Sequence, residues 1–295
     1  MLQVSADTLM SDVFQWHDGE RPWRAPFDRF GDGLPVVCFP APSTISTREE
    51  LRGLAERLAV THAVFTVDWP GLGDADRFPV RYRAPLYARF MSAFLERFEG
   101  PVDVIAAGHA ASYALDIARR TPDRFRRLVL LAPTWRGPLP TAMGDHPLVW
   151  RALERLVCAP LVGPPLYALN ASRRMIRWMM RRHVYADPSH ITPSLLERRI
   201  QTAHSPNARF ASSAFVTGGL DGFRSRESFL DTARACGLPK LIAIGERTPP
   251  KSLAEMEALA ALPHTRTVVL PGSLAFYDEY PDATARAVAA FLCSD

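Results

Sequence analysis

Lysine is nearly absent from the sequence: of its 35 basic residues only Lys240 and Lys251 are lysines, and the rest are arginines. The net charge is only +4 over 295 residues, so the basic composition points to no particular partner. Long hydrophobic runs are also missing, because no stretch approaches the roughly 20 apolar residues that cross a membrane. The N-terminus shows no basic segment followed by an apolar one, and we expect no signal peptide.

Cysteine is scarce, and its four copies are widely spaced without a C-x-x-C pair: Cys38, Cys158, Cys236 and Cys293. This usage favours reduced, buried thiols in a cytoplasmic protein over a disulfide framework. The histidines show no metal-ligand spacing, and the sequence has neither a dinucleotide fingerprint nor a P-loop. No helix-turn-helix, zinc-finger or RNA-binding signature is present. We therefore expect no metal, no cofactor and no nucleic-acid partner.

The segment around which the chain is organised runs from Val102 to Ala118. Val102 to Ala107 is a short apolar run typical of a buried strand, Gly108 breaks it, and helical spacing follows from Ser112. A strand, a sharp turn and a helix with small residues form the context of a nucleophile elbow, G-x-S-x-G. Aligned from Gly108, the five residues end at Ser112, and the nucleophile position is Ala110.

Buried strands recur on both sides of this segment. The patterns predict an edge hairpin from Asp12 to Phe30 and strands at Leu34 to Phe39, Ala63 to Val67, Arg127 to Ala132, Leu238 to Gly245 and Arg266 to Pro271. Between residues 133 and 229 the strand pattern stops and helical segments replace it.

In this order of landmarks the chain resembles the α/β-hydrolase superfamily, and within it the esterase and lipase-like branch with a G-H-S-x-G elbow and a helical cap. The resemblance implies an α/β fold with a mostly parallel central sheet flanked by helices. It implies a core formed by residues 1–132 and 230–295, with the helical cap inserted as residues 133–229.

The other catalytic positions of the resembling family are also altered. In that family the catalytic acid follows a strand in the pattern G-x-x-D. Here the strand ends at Gly245, so the residue at the acid position is Thr248. The histidine follows the last strand, and the register from the downstream Glu279-x-Pro281 places Leu274 there. The oxyanion loop after the first buried strand matches Pro40 to Ser43, so its donor position is Pro42, which has no N–H. The resemblance thus implies a member without the Ser-His-Asp triad.

Three functions remain open. The favoured one is a non-catalytic protein that binds an apolar small molecule under the cap. Its predicted ligand contacts are Pro42, His109, Ala110, Ala111, Leu274 and Trp178. The second is a cofactor-free lyase, isomerase or cyclase that uses the imidazole of His109. The third is a hydrolase with machinery relocated to His109, Ser112 or Glu246. The oligomeric state is left open.

The cap contains a basic amphipathic segment from Ser172 to His183. Met175, Ile176, Met179 and Met180 are predicted to form one helix face, and Arg173, Arg177 and Arg181 another. Such a helix can lie weakly on an anionic membrane. The favoured interpretation is instead that the apolar face covers a ligand cavity.

Overall fold

The structure, a computed structural model, describes residues 9–294 and contains one eight-stranded sheet. Its strands are β1 (Met10–His17), β2 (Pro22–Phe30), β3 (Leu34–Phe39), β4 (His62–Val67), β5 (Val102–Ala107), β6 (Phe125–Leu131), β7 (Lys240–Gly245) and β8 (Thr265–Leu270). The strand order is β1-β2-β4-β3-β5-β6-β7-β8. Strand β2 pairs antiparallel with both β1 and β4. The remaining pairs, along β4-β3-β5-β6-β7-β8, are all parallel.

Helices cover the sheet and fill the long connection after β6. They are α1 (Arg52–Leu58), α2 (Ala84–Leu95), α3 (Ala110–Arg120), α4 (Pro138–Met143), α5 (Pro147–Cys158), α6 (Gly163–Asn170), α7 (Arg173–Met179), α8 (Pro193–Ala203), α9 (Ala208–Val216), α10 (Arg226–Ala235), α11 (Pro250–Ala260), α12 (Phe276–Glu279) and α13 (Pro281–Leu292). A 3₁₀ turn, Arg48–Leu51, leads into α1, and a π-helical turn, Met180–Val184, extends α7.

The central strands are apolar because both of their faces are covered. All six residues of β5 are buried, and so are all six of β7. Helices α2, α3 and α13 present apolar stripes to the sheet, including Phe90 and Phe94 on α2 and Val288 on α13. The carboxyl ends of the parallel strands meet at one edge, where the long connection after β6 lies above them. This arrangement confirms the predicted α/β fold.

One boundary and the burial of two cysteines differ from the sequence-based expectations. The expected end of the cap, residue 229, falls inside α10, and α10 packs against α3. The four cysteines are free thiols, but Cys293 is exposed near the end of the chain and Cys158 is half-buried, contrary to the expectation that they are all buried. Their apolar sequence surroundings did not distinguish a buried face from the rim.

Candidate functional site

Strand β5 passes into α3 through Gly108, which has a positive φ of 52° and lies in the left-handed region. Its N–H donates to the carbonyl of Leu131 at the end of β6 (2.8 Å), and its carbonyl accepts the N–H of Thr134 (3.1 Å). The sharp turn between strand and helix therefore falls on Gly108. In a nucleophile elbow the nucleophile occupies that turn residue. In this chain the residue at the turn has no side chain.

The structure corrects the predicted register of the elbow by two residues. Ala110 is the first residue of α3 and is fully buried, and His109 before it already has helical backbone angles. Ala106 lies two residues before the turn and Ala110 two residues after it. These are the positions of the two glycines in G-x-S-x-G. Gly108 thus corresponds to the serine of the motif, and Ala110 and Ala111 are packing residues of the α3 N-terminus.

The loop after β3 lies directly against the elbow. A Cβ built on Gly108 would stand 2.9 Å from the Cβ of Ala41, closer than two carbons approach in folded proteins. The loop is held by the indole N–H of Trp69, which donates to the carbonyl of Pro40 (2.7 Å), and by the N–H of Ser43, which donates to Ala41 O (2.8 Å). Pro42 is buried and has no N–H. The methyl of Ala41 therefore occupies space beside the elbow that a side chain on residue 108 would need.

The loops after β7 and β8 complete the strand-end edge. Thr248 is buried, and its hydroxyl has no hydrogen-bond partner in the described structure. Leu274 is half-buried, and its neighbours are tied to the cap: Ala275 N–H donates to Val184 O (3.0 Å) and Ser273 Oγ contacts His183 O (3.0 Å). The π-helical turn after α7 is thereby held over the loop that carries Leu274.

A second segment of the cap is tied to the elbow through His109. The Nε2–H of His109 donates to Leu220 O (3.0 Å), and the hydroxyl of Tyr113 donates to the same oxygen (2.6 Å). Nε2 also lies 3.6 Å from Oδ1 of Asp221, which accepts the N–H of Gly137 (2.9 Å). The buried Nδ1 of His109 has no partner among the described residues.

Burial shifts both titratable groups of this pair toward their neutral forms. It lowers the pKa of His109 to about 4, against a smaller opposing effect of the Leu220 carbonyl. It raises the pKa of Asp221 to about 7, although the Gly137 N–H and the charge of Arg136 both stabilise the carboxylate. At neutral pH His109 is an uncharged imidazole whose Nδ1 is a free hydrogen-bond acceptor.

Three other predicted site residues do not meet at the elbow as functional groups. The hydroxyl of Ser112 is fully buried and donates to His109 O in its own helix (2.8 Å). Glu246 is exposed to solvent. Trp178, predicted to contact a ligand, points to the surface with 55% of its area exposed and lies against the ring of His183. These positions correct the predicted ligand role of Trp178 and leave Ser112 with a structural hydrogen bond.

A polar groove of about 580 Å³ runs between α8 and the residues that follow β3. Its floor includes Arg199 of α8, which is buried and paired with Glu50 (2.8 Å) and Asp278 (3.0 Å). Burial raises the pKa of Glu50 to about 7, and the charge of Arg199 opposes that shift. Arg199 also donates to the carbonyl of Ile45 (3.0 Å), so one cap side chain links α8 to two separate parts of the core.

A second groove of about 600 Å³ lies between α5 and residues 79–83. Neither groove is lined by the elbow residues. Within residues 9–294, no three His, Cys, Asp or Glu side chains are grouped so that they could hold a metal ion.

The fold agrees with a comparison of the sequence to known families. Residues 16–287 match the model of the alpha/beta hydrolase family. The chain belongs to the α/β hydrolase family. No curated protein matches the chain significantly by sequence.

Solved structures of the family superpose over nearly the whole chain at low sequence identity. A thermophilic esterase from Thermogutta terrifontis is 19% identical with a TM-score of 0.73, covering 97% of this chain and 98% of that one. Cfl2 from Burkholderia cenocepacia is 23% identical, with a TM-score of 0.71 and 95% coverage of both chains. Haloalkane dehalogenase DatA from Agrobacterium tumefaciens C58 is 17% identical, with a TM-score of 0.72 and 96% coverage of both. At these identities the likeness establishes the fold and no activity.

The sequence interpretation missed Gly108, Ala41 and Asp221 as site residues. The signal for Gly108 was present, since the turn directly follows the last strand residue, Ala107, and small residues stand two positions away on either side. No sequence pattern pointed to Asp221, because it comes close to His109 only when the cap folds back against the core.

Proposed function

We propose that this α/β hydrolase-fold protein binds a mostly apolar small molecule at the elbow and does not hydrolyse esters through a Ser-His-Asp triad. The observation that carries the proposal is Gly108 at the turn with the Ala41 methyl pressed against it. Thr248 and Leu274 stand at the acid and histidine positions of the family pattern. Neither a threonine nor a leucine can act as a base near neutral pH.

The character of the ligand follows from the side chains at the strand ends. Ala41, Pro42 and Leu274 are apolar, and Gly108, Ala41 and Leu274 are each partly accessible to solvent. Two buried polar atoms, Nδ1 of His109 and Oγ1 of Thr248, have no partner in the described structure. An unpaired buried polar atom costs about 1–3 kcal/mol, and a ligand with one donor group would remove part of that cost. We therefore expect an apolar ligand with a hydroxyl or amide N–H.

The first experiment tests for hydrolysis. The purified chain is treated with a fluorophosphonate probe and assayed with nitrophenyl esters of increasing acyl length, beside the Thermogutta esterase as a competent member of the fold. We expect no labelled serine and a rate equal to that of the heat-unfolded protein. If the probe labels a serine and this labelling abolishes measurable ester turnover, the protein has serine-hydrolase chemistry and the proposal is refuted.

The second experiment tests for binding. Freshly purified protein is extracted with organic solvent and the extract is analysed by mass spectrometry, for the parent chain and for Leu274→Lys. The matched control is Leu34→Lys, which places the same charge at an exposed leucine of β3. We expect the extracted compound to be lost in Leu274→Lys and kept in the control. Equal content in all three proteins, or none in the parent, contradicts binding at the elbow.

A second candidate function rests on the unpartnered Nδ1 of His109. A neutral imidazole with a free acceptor nitrogen can accept a proton from a bound substrate, as a cofactor-free lyase or isomerase requires; its lowered pKa of about 4 makes it a weak base, suited only to an acidic substrate proton. If the extracted compound is converted by the parent chain and not by His109→Gln, the protein is an enzyme of this kind. Relocated hydrolysis is less well supported, because Ser112 is committed to its own helix and Glu246 is exposed.

A further inference from the structure

The outward surface of α5, α6, α7 and the connection between α5 and α6 (residues 159–162), here called the outer cap surface, carries an unusual density of exposed apolar side chains. Eight of the fourteen large apolar residues that the described chain exposes lie on it: Leu148, Val149, Leu156, Leu161, Val162, Leu169, Met175 and Trp178. Leu161 is 88% exposed and Leu148 79%. Soluble monomers rarely gather apolar area of this kind in one place unless it meets a partner or a membrane.

The helices of this surface turn their apolar residues away from the core. In α5 the buried residues are Trp150 and Glu154, whereas Leu148, Val149 and Leu156 face outward. In α7 the buried side is Ile176, continued by Met180, and Trp178 lies on the opposite side of the helix. The prediction that Met175, Ile176, Met179 and Met180 form one covered helix face is therefore wrong. Ile176 and Met180 are buried, whereas Met175 is exposed and Met179 is half-buried.

Arginines surround the exposed apolar residues. Between residues 146 and 186 the sequence has seven arginines and one acidic residue, Glu154, so the remainder of the chain is slightly acidic. Glu154 is buried and paired with Arg83 (2.6 Å), which leaves no exposed acidic side chain in that segment. Arg173 pairs with Glu197 (2.7 Å), but Arg174, Arg177 and Arg181 make no ion pair within the described chain.

This combination selects among possible occupants. A second copy joined symmetrically through the same surface would bring arginines against arginines, which disfavours a dimer there. A tryptophan and leucines flanked by unpaired arginines match the two layers of an anionic bilayer surface, acyl chains below and phosphates above. None of the described helices has the length and apolar composition to cross a bilayer. We propose that the outer cap surface docks the protein flat on anionic phospholipid membranes.

Vesicle sedimentation tests the electrostatic part of this proposal. The full chain is mixed with vesicles of phosphatidylcholine alone or with one third phosphatidylglycerol, at low and at molar salt. Each arginine near an anionic surface changes binding about fivefold, so Arg174/Arg177/Arg181→Gln should weaken it about 100-fold. Binding by the parent should also fade as salt rises. The charge-matched control, Arg24/Arg89/Arg286→Gln, removes three exposed arginines elsewhere and should bind like the parent.

The apolar part is tested with Leu148→Ser/Leu156→Ser against the control Leu34→Ser/Val269→Ser, which alters two exposed apolar residues outside the surface. We expect at least a tenfold loss for the first pair and none for the second. Trp178 fluorescence should shift to the blue on binding and be quenched by brominated lipid, and Trp178→Phe should remove both signals.

Failure of the parent to sediment with anionic vesicles at low salt would overturn the proposal, and so would equal binding to neutral vesicles. Equal losses in the control variants would show that general charge, and not this surface, is responsible. A concentration-dependent dimer that Leu148→Ser/Leu156→Ser dissociates would assign the surface to a second copy. Capture of an acidic protein without lipid binding would likewise overturn it.

Discussion

Asp221→Asn should make the protein more stable at neutral pH while leaving its stability in acid nearly unchanged. The folded state raises the pKa of Asp221 to about 7, from an unfolded value near 3.8, so between those values the folded state holds a proton that the unfolded chain has released. The stability due to this proton is fully present below about pH 4 and is lost as the pH rises through about 7. Three pKa units at about 1.4 kcal/mol each set an upper limit of about 4 kcal/mol.

Asparagine keeps an oxygen to accept the Gly137 N–H, so the variant isolates the titration from the hydrogen bond. Urea unfolding is followed at intervals from about pH 4 to pH 7.5 for the parent chain, Asp221→Asn and Asp123→Asn, the last removing an exposed carboxylate far from the cap. The difference between parent and Asp221→Asn should grow with pH by up to about 4 kcal/mol.

His109 supplies an internal check with the opposite sign. Its folded-state pKa is lowered to about 4 from 6.5, so its contribution is present above about pH 6.5 and is lost as the pH falls through about 4. His109→Gln should therefore gain stability relative to the parent in acid, by at most about 3 kcal/mol. Parallel stability curves for the parent and Asp221→Asn over the whole range would refute the assignment of a buried, neutral Asp221.

Two further predictions concern the elbow and the link between cap and core. Gly108→Ser should lower the free energy of unfolding by about 1–2 kcal/mol, because it adds a Cβ 2.9 Å from the Ala41 methyl at a left-handed φ. Adding Ala41→Gly to this variant should recover part of the loss in urea unfolding. Nitrophenyl ester hydrolysis should stay at background in the single and in the double variant. Arg199→Met should lower the free energy of unfolding by about 3 kcal/mol, because it leaves Glu50 buried without its cation. The double variant Arg199→Met/Glu50→Gln should lose less stability than the sum of the losses in the two single variants. Strictly additive losses would show that the two side chains are not coupled.

The elbow shows where sequence reasoning reached its limit at the candidate site. The strand at Val102 to Ala107 and the helix after it were predictable, because a continuous apolar β-branched run followed by helical spacing has few alternative structures. The register of the turn was not. With glycine and alanines at every candidate position, the motif can be aligned from Gly108 or around it, and only the observed φ and the hydrogen bonds to Leu131 and Thr134 decide.

The sequence by itself determined the strand runs, the position of the helical insertion after β6 and the residue types, Thr248 and Leu274, that the family resemblance aligns with its acid and histidine. These are local properties, set by periodicity and by spacing along the chain. Tertiary structure alone decided which side of α7 faces the core, since apolar residues occur on both sides and only packing buries Ile176 and exposes Trp178. It also decided the proximity of His109 to Asp221 and the burial of both, because residues more than a hundred positions apart meet only when the cap folds back onto the strand ends.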